Sequence, residues 1–117
     1  MAIDFSHMPC IYWSNTTKMS YLQRRVIVHS IIYYEMSSST ITDREFDSIG
    51  HQLVELMNSS TKEECERSTY WYAMYDFDAS TGFNIPSRLT KKDRQYLTNI
   101  ASHVLHQYRT SGRSEGK

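Results

Sequence analysis

The chain has 117 residues, enough for one small domain with a single modest core. Its 13 basic and 13 acidic residues give a formal net charge of zero, which argues against direct nucleic-acid binding through bulk electrostatics. Two cysteines are too few for a disulfide framework. No run approaches the roughly 20 apolar residues of a membrane span, and the N-terminus lacks a signal-peptide pattern. We therefore expect a cytoplasmic protein that makes no membrane contact.

The two ends of the chain are predicted to lie outside the folded domain. Residues 1–18 show no clear hydrophobic period and are predicted to form a flexible segment, part of which resembles a remnant of an expression vector. The helical domain is predicted over residues 19–110. Residues 111–117 are small and charged, and we expect a disordered tail there.

The first helix is predicted to begin near Ser20, which can form a capping box with Gln23. Side chains then follow one helical stripe, and further isoleucines and valines widen it. The stripe consists of Leu22, Val26, His29 and Tyr33. The β-branched run at 26–28 would also suit a strand, but the length of the pattern favours a helix. A serine run at 37–39 ends it.

The start of the second helix is well specified by the sequence. Thr42 is predicted as the N-cap, with Glu45 as its partner in a capping box. The helix is predicted over residues 43–57, where apolar side chains repeat at three and four. Gly50 lies on its buried side, which indicates either a close approach of another helix or a local weakness.

The third helix and the aromatic run after it are harder to assign. Ser60 and Glu63 offer a further capping box, so a helix is predicted to begin near Thr61. The aromatic run at 70–75 fits either a continued helix or a strand. We favour a helix because no partner strand is evident, with a short β-element near residues 70–85 as the alternative.

The last helix carries the clearest periodic pattern in the chain. Residues 76–86 are predicted to form a loop. Thr90 and Asp93 indicate the start of the helix that follows. Its apolar face is predicted to consist of Leu97, Ile100, Ala101, Val104, Leu105 and Tyr108. The fold class that follows is all-α, a small bundle of about four helices in a single domain.

Three features suggest metal binding or covalent catalysis, but each lacks a residue or a property that this chemistry requires. The segment 76–82 resembles half of a calcium loop, but its glycine comes one place late and no closing glutamate follows. His103 and His106 are three residues apart, yet no third ligand stands at helical spacing. Cys65 lies among glutamates, which raise the pKa of a thiol. We therefore predict no catalytic residue, no metal site and no enzymatic activity.

The corner between the first two helices gathers aromatic rings and carboxylates. Asp43 and Asp47 are one turn apart and so share a face of the second helix. Tyr33, Tyr34 and Phe46 offer rings on which a flat cationic ligand could stack, while the aspartates could accept its hydrogen bonds or pair with its charge. The alternative is that these residues only cap and pack the two helices.

The same corner resembles the small N-terminal helical domain of bacterial NAD-dependent DNA ligases. The resemblance rests on the sequence YYEMSSSTITDREFDSIGHQLVEL, with its tyrosine pair, short turn, Asp–Glu–aromatic–Asp order and leucine-rich helix, and it covers about residues 20–57. It implies a site for nicotinamide mononucleotide or NAD. The positions it implies for that site are Tyr33, Tyr34, Asp43, Phe46 and Asp47. Phe46 stands where the family usually has tyrosine, and Ser39 replaces the usual proline of the turn.

The resemblance does not extend to a complete enzyme. The sequence has no Lys-x-Asp-Gly nucleophile motif and no room for an adenylation domain, an OB-fold or zinc fingers, so we do not expect a ligase. The chain is more similar to the short ligase-related proteins of bacteriophage genomes, in which the helical module stands alone.

Two functions are compatible with this resemblance. The first is a phage or mobile-element protein in the host cytoplasm that binds and inhibits a host protein, for instance a defence nuclease. Its contact surface would be the aromatic segment, because interfaces favour such residues. The predicted contact residues are Tyr70, Trp71, Tyr72, Tyr75 and Phe77. The second is a small binding module for nicotinamide mononucleotide or NAD. An exposed apolar patch would equally suit a homo-oligomer.

Overall fold

The structure, a computed structural model, describes residues 13–79 and 84–111. These residues form helices and no strand, which confirms the all-α prediction. The helices are α1 (Asn15–Glu35), α2 (Asp43–Ser59), α3 (Lys62–Glu66), α4 (Trp71–Met74), α5 (Ile85–Arg88) and α6 (Lys91–Ser111). Three are long and three are short, and the predicted count of about four did not separate α4 from α3 and did not include α5. Within the two described ranges, no helix is long and apolar enough to cross a membrane.

Helix α1 is the central element of the fold, because it packs against both α2 and α6 and also touches α3 and α5. A helix with neighbours on several sides must be apolar on several sides. Accordingly, the β-branched run Val26-Ile27-Val28, which also suited a strand, lies buried in the middle of α1.

Helix α1 begins earlier than predicted. Ser14 is its N-cap, and the Ser14 Oγ accepts a hydrogen bond of 3.2 Å from the Thr17 N–H. The predicted capping box of Ser20 with Gln23 is wrong. Ser20 lies inside the helix, where its hydroxyl donates to the Thr16 carbonyl at 3.0 Å.

The predicted domain limits differ from the helix limits at both ends. Residues 15–18, predicted to be flexible, belong to α1, and Ser111, predicted to begin the tail, is the last residue of α6. Residues 1–12 and 112–117 of the two predicted flexible segments lie outside the described residues.

Helix α2 begins as the sequence predicts. The Glu45 N–H donates to the Thr42 Oγ1 at 3.1 Å, and the Thr42 N–H donates to the Glu45 Oε1 at 3.0 Å. This reciprocal pair confirms the capping box. The helix continues to Ser59, slightly beyond the predicted end.

Gly50 is buried on α2 against the segment that follows α4 rather than against another helix. A Cβ added at Gly50 would lie 3.4 Å from both the Ala79 Cβ and the Phe77 Cζ. The predicted neighbour, another helix, is therefore not the one that this Cβ would meet, because Ala79 and Phe77 belong to a loop.

The capping box of α3 lies one residue later than predicted. Thr61 and Glu64 form it, with the Glu64 N–H donating to the Thr61 Oγ1 at 3.1 Å. The predicted box of Ser60 with Glu63 is wrong, because the Ser60 hydroxyl instead donates to the Leu56 carbonyl at 2.6 Å. The predicted helix start near Thr61 is confirmed.

The aromatic run forms the short helix α4, so the preference for helix over strand is confirmed. The alternative was a β-element at 70–85. The structure describes this range except for residues 80–83, and the described part contains no strand. Helix α5 was missed, since it lies partly within the predicted loop. It has Pro86 in its first turn, where proline costs no hydrogen bond.

Helix α6 begins after Thr90, whose Oγ1 accepts a hydrogen bond of 3.1 Å from the Asp93 N–H. The predicted apolar face is confirmed for most of its length. Leu97, Ala101 and Leu105 are buried, and Ile100 and Val104 are half-buried against the core. Tyr108, predicted on the same face, is exposed, so the apolar face ends one turn early.

Candidate ligand pocket

A pocket of about 240 Å³ opens at the corner between α1 and α2. The described residues that line it are His29, Tyr33, Tyr34, Ser39, Thr40, Ile41, Thr42, Asp43, Phe46 and Asp47. All five residues that the sequence analysis predicted for a ligand belong to this set. The structure therefore brings the predicted rings and carboxylates together in one place.

The turn that closes α1 creates this corner. Ser37 adopts the left-handed backbone conformation, with φ of 51°, which a helix cannot continue. The Met36 N–H donates back to the Ile31 carbonyl and the Ser38 N–H to the Ile32 carbonyl, each at 3.1 Å. The chain thus reverses over a few residues and enters α2 beside the end of α1.

The aromatic part of the pocket contains two exposed rings and one anchored ring. Tyr33 and Tyr34 stand edge to face, with ring centroids 4.8 Å apart and an interplanar angle of 85°. Their exposed fractions are 53% and 37%, so both rings remain accessible. Phe46 is half-buried and packs against the hydrophobic core. Such an arrangement offers ring faces and edges to a flat ligand.

The acidic part of the pocket lies in the first turns of α2. Asp43 and Asp47 are both exposed and stand one turn apart on the helix. Among the described residues, neither carboxylate takes part in a hydrogen bond or ion pair with another side chain. Both are therefore available to a ligand that donates hydrogen bonds or carries positive charge.

His29 lines the same pocket, although the sequence analysis did not single it out. Its Nδ1 lies 3.4 Å from the Thr40 Oγ1. Burial, aided by the positive charge of Arg25, lowers the pKa of His29 to about 4, and the nearby Glu45 opposes this shift only partly. The imidazole is therefore neutral at physiological pH. Its place one turn before Tyr33 was the only signal that could have suggested this role.

The pocket carries negative charge and no neighbouring cation in its described lining. The lining residues include two aspartates but neither lysine nor arginine. Arg109 lies outside this lining, beside the turn, where its charged guanidinium donates to the Ser38 Oγ at 3.0 Å. The arrangement suits hydrogen-bond donors and cations better than anions.

The five predicted partner-contact residues do not form one exposed surface. Tyr70 is buried, and Trp71 and Phe77 are half-buried against the core. Only Tyr72 and Tyr75 are exposed, with exposed fractions of 42% and 57%. Tyr70 is thus a core residue rather than a contact residue.

A buried hydrogen-bond network explains the position of Tyr70. The Tyr70 N–H donates to the Gln23 Oε1 at 2.9 Å, and the Gln23 Nε2 donates to the Ser68 Oγ at 2.8 Å. Burial also raises the pKa of the Tyr70 phenol. The turn before α4 is therefore held against the middle of α1.

The two exposed tyrosines have contacts of their own. The Tyr72 hydroxyl donates to the Asp93 carboxylate and accepts from the Thr90 N–H at 3.1 Å, which joins α4 to the start of α6. The Arg88 guanidinium lies 5.8 Å from the centre of the Tyr75 ring, within range of a cation–π contact.

A scan against protein-family models and searches of curated proteins and of solved structures found no match for this chain. The resemblance to the N-terminal domain of NAD-dependent DNA ligases therefore rests on the sequence motif alone.

Proposed function

We propose that the protein is a binding module whose pocket between α1 and α2 takes the nicotinamide ring of nicotinamide mononucleotide, NAD or a related nucleotide. One observation carries this proposal. The residues that the ligase-like motif implies for such a ligand all line a single pocket, and they are Tyr33, Tyr34, Asp43, Phe46 and Asp47.

The chemistry of these groups matches the ligand. In its oxidised form the nicotinamide ring is flat and positively charged, so it can stack on tyrosine faces with a cation–π gain of about 0.5–2 kcal/mol. Its amide can donate to a carboxylate such as that of Asp47. The pocket volume of about 240 Å³ is below the roughly 300–1,000 Å³ of drug-sized pockets, which suits a ring with its ribose rather than a whole dinucleotide.

The residues that line the pocket offer rings and carboxylates that can bind a ligand. Some of the hydroxyl groups in the lining already form hydrogen bonds within the protein. Thr42 caps α2, and the Ser39 hydroxyl donates to the Ile41 carbonyl. The buried Cys65 is not among the lining residues, and burial together with Glu64 raises the pKa of its thiol. We therefore propose binding without catalysis.

Calorimetric titration with nicotinamide mononucleotide and with NAD tests this function. Binding heat is expected for the unmodified protein and should be lost in Asp47→Ala. Glu55→Ala is the matched control, because Glu55 is an exposed carboxylate on the same helix outside the pocket lining. Absence of binding heat at millimolar ligand would contradict the proposal.

A second candidate function is inhibition of a host protein, such as a defence nuclease, by a phage or mobile-element protein built on this helical scaffold. The exposure of Tyr72 and Tyr75 favours it, because exposed tyrosines are frequent anchors of protein interfaces. A pull-down from host lysate that recovers a partner with the unmodified protein, but not with Tyr75→Ala, would support it. Recovery of nothing specific would count against it.

A further inference from the structure

The formal charges in the described lining of the pocket are those of two carboxylates. Asp43 and Asp47 are both exposed there, and His29 adds no positive charge because its pKa is about 4. Arg25 acts electrostatically on His29 but is not among the lining residues. A bound phosphate would therefore meet negative charge without a compensating cation in the lining.

The second common device for holding a phosphate, a helix N-terminus, is partly engaged within α2. The Thr42 side chain caps the N–H of Glu45, and the Glu45 carboxylate accepts the N–H of Thr42. Asp43 and Glu45 also place two acidic side chains in the first turn, where they take the favourable position beside the helix dipole. An anionic ligand at this end would compete with those groups.

From this geometry we infer that the pocket selects cationic pyridinium ligands that carry no phosphate over the mononucleotide and the dinucleotide. The inference rests on the proposed function and adds the ligand class. The fixed positive charge of the ring is matched by Asp43 and Asp47, whereas each phosphate adds repulsion from the same two carboxylates.

Four small probes separate ring charge from phosphate charge. Nicotinamide and 1-methylnicotinamide share one ring but differ in charge, while nicotinamide riboside and nicotinamide mononucleotide differ by one phosphate. In calorimetry at low ionic strength, 1-methylnicotinamide should bind more tightly than nicotinamide. The riboside should bind about five- to tenfold more tightly than the mononucleotide, a ratio that added salt reduces because both carboxylates are exposed.

Removal of the carboxylate charges tests the cause of the selectivity. Asparagine, unlike alanine, keeps an oxygen that accepts from the ligand amide, so weakened binding remains measurable. In Asp47→Asn, and more fully in Asp43→Asn combined with Asp47→Asn, the ratio of riboside to mononucleotide affinity should fall toward one. Glu55→Gln, which removes one exposed charge from α2 outside the lining, should keep the ratio. Circular dichroism checks that each variant retains its helices.

Each outcome decides the inference. A mononucleotide that binds the unmodified protein as tightly as the riboside, or more tightly, would overturn the inference and leave the proposed function standing. A riboside preference that persists unchanged in the double variant would overturn the electrostatic cause and so the inference. Failure of all four probes to bind would overturn both.

Discussion

Gln23 and Ser68 form a buried hydrogen bond of 2.8 Å that joins the middle of α1 to the turn between α3 and α4. The same Gln23 side chain accepts the Tyr70 N–H, so one buried amide satisfies two groups. The Ser68 hydroxyl in turn donates to the Cys65 carbonyl at 2.6 Å. Among the described residues, this network and Ser30 are the buried polar part of a core that is otherwise formed by apolar side chains.

Replacement of Gln23 by leucine should therefore destabilise the protein by about 2–3 kcal/mol, because it leaves buried polar groups without their partner. Urea unfolding followed by circular dichroism measures the change. Gln95→Leu is the control, since Gln95 is exposed on α6, and it should change the free energy of unfolding by less than about 0.5 kcal/mol. Equal effects of the two substitutions would contradict a structural role for the network.

Ser37 should be a site at which glycine stabilises the protein. Its φ of 51° lies in the left-handed region, which is unfavourable for a residue with a Cβ. Ser37→Gly should raise the free energy of unfolding by about 0.5–1 kcal/mol. Ser59→Gly, at the helical end of α2, should lower it instead. A destabilising Ser37→Gly would show that the turn is held in another way.

His29 should make stability depend on pH. The unfolded chain binds a proton near pH 6.5, whereas burial lowers the pKa in the folded protein to about 4. The contribution of His29 to the free energy of unfolding is therefore fully present above pH 6.5. It falls by about 1–3 kcal/mol as the pH falls from 6.5 toward 4. His29→Gln should flatten this part of the pH profile in thermal unfolding. His106→Gln, at an exposed position on α6, should leave the profile unchanged.

Local signals in the sequence were sufficient to predict the corner between α1 and α2 where the pocket lies. The capping box of Thr42 and Glu45 needs only neighbours three residues apart, and the shared face of Asp43 and Asp47 needs only one helical turn. For that reason the start of α2 and five of the ten described lining residues could be predicted without the fold.

The start of α1 could not be predicted because tertiary contacts decide it. Ser14 and Ser20 both suit an N-cap by residue type. Residues on the far side of the fold favour the earlier start, since the Thr16 hydroxyl donates to the Glu64 carbonyl at 2.9 Å and Met19 is completely buried. Neither contact can be predicted from the residues that are neighbours in the sequence.

The aromatic segment shows a similar limit. Tyr70 and Tyr75 have the same side chain and lie close together in sequence, yet one is buried and the other is exposed. Tyr70 also has a backbone contact from a distant part of the chain, since Gln23 accepts its N–H. The role of His29 was hidden for the same reason, since Thr40 reaches it only after the chain reverses.

The central proposal is that the corner between α1 and α2 holds a nicotinamide ring. Chemical-shift mapping by NMR during titration with nicotinamide riboside tests it most directly. We expect saturable shifts concentrated at Tyr33, Tyr34 and Asp47, with the Tyr72–Tyr75 segment unaffected. Shifts centred on that segment, or no saturable shift at all, would contradict it.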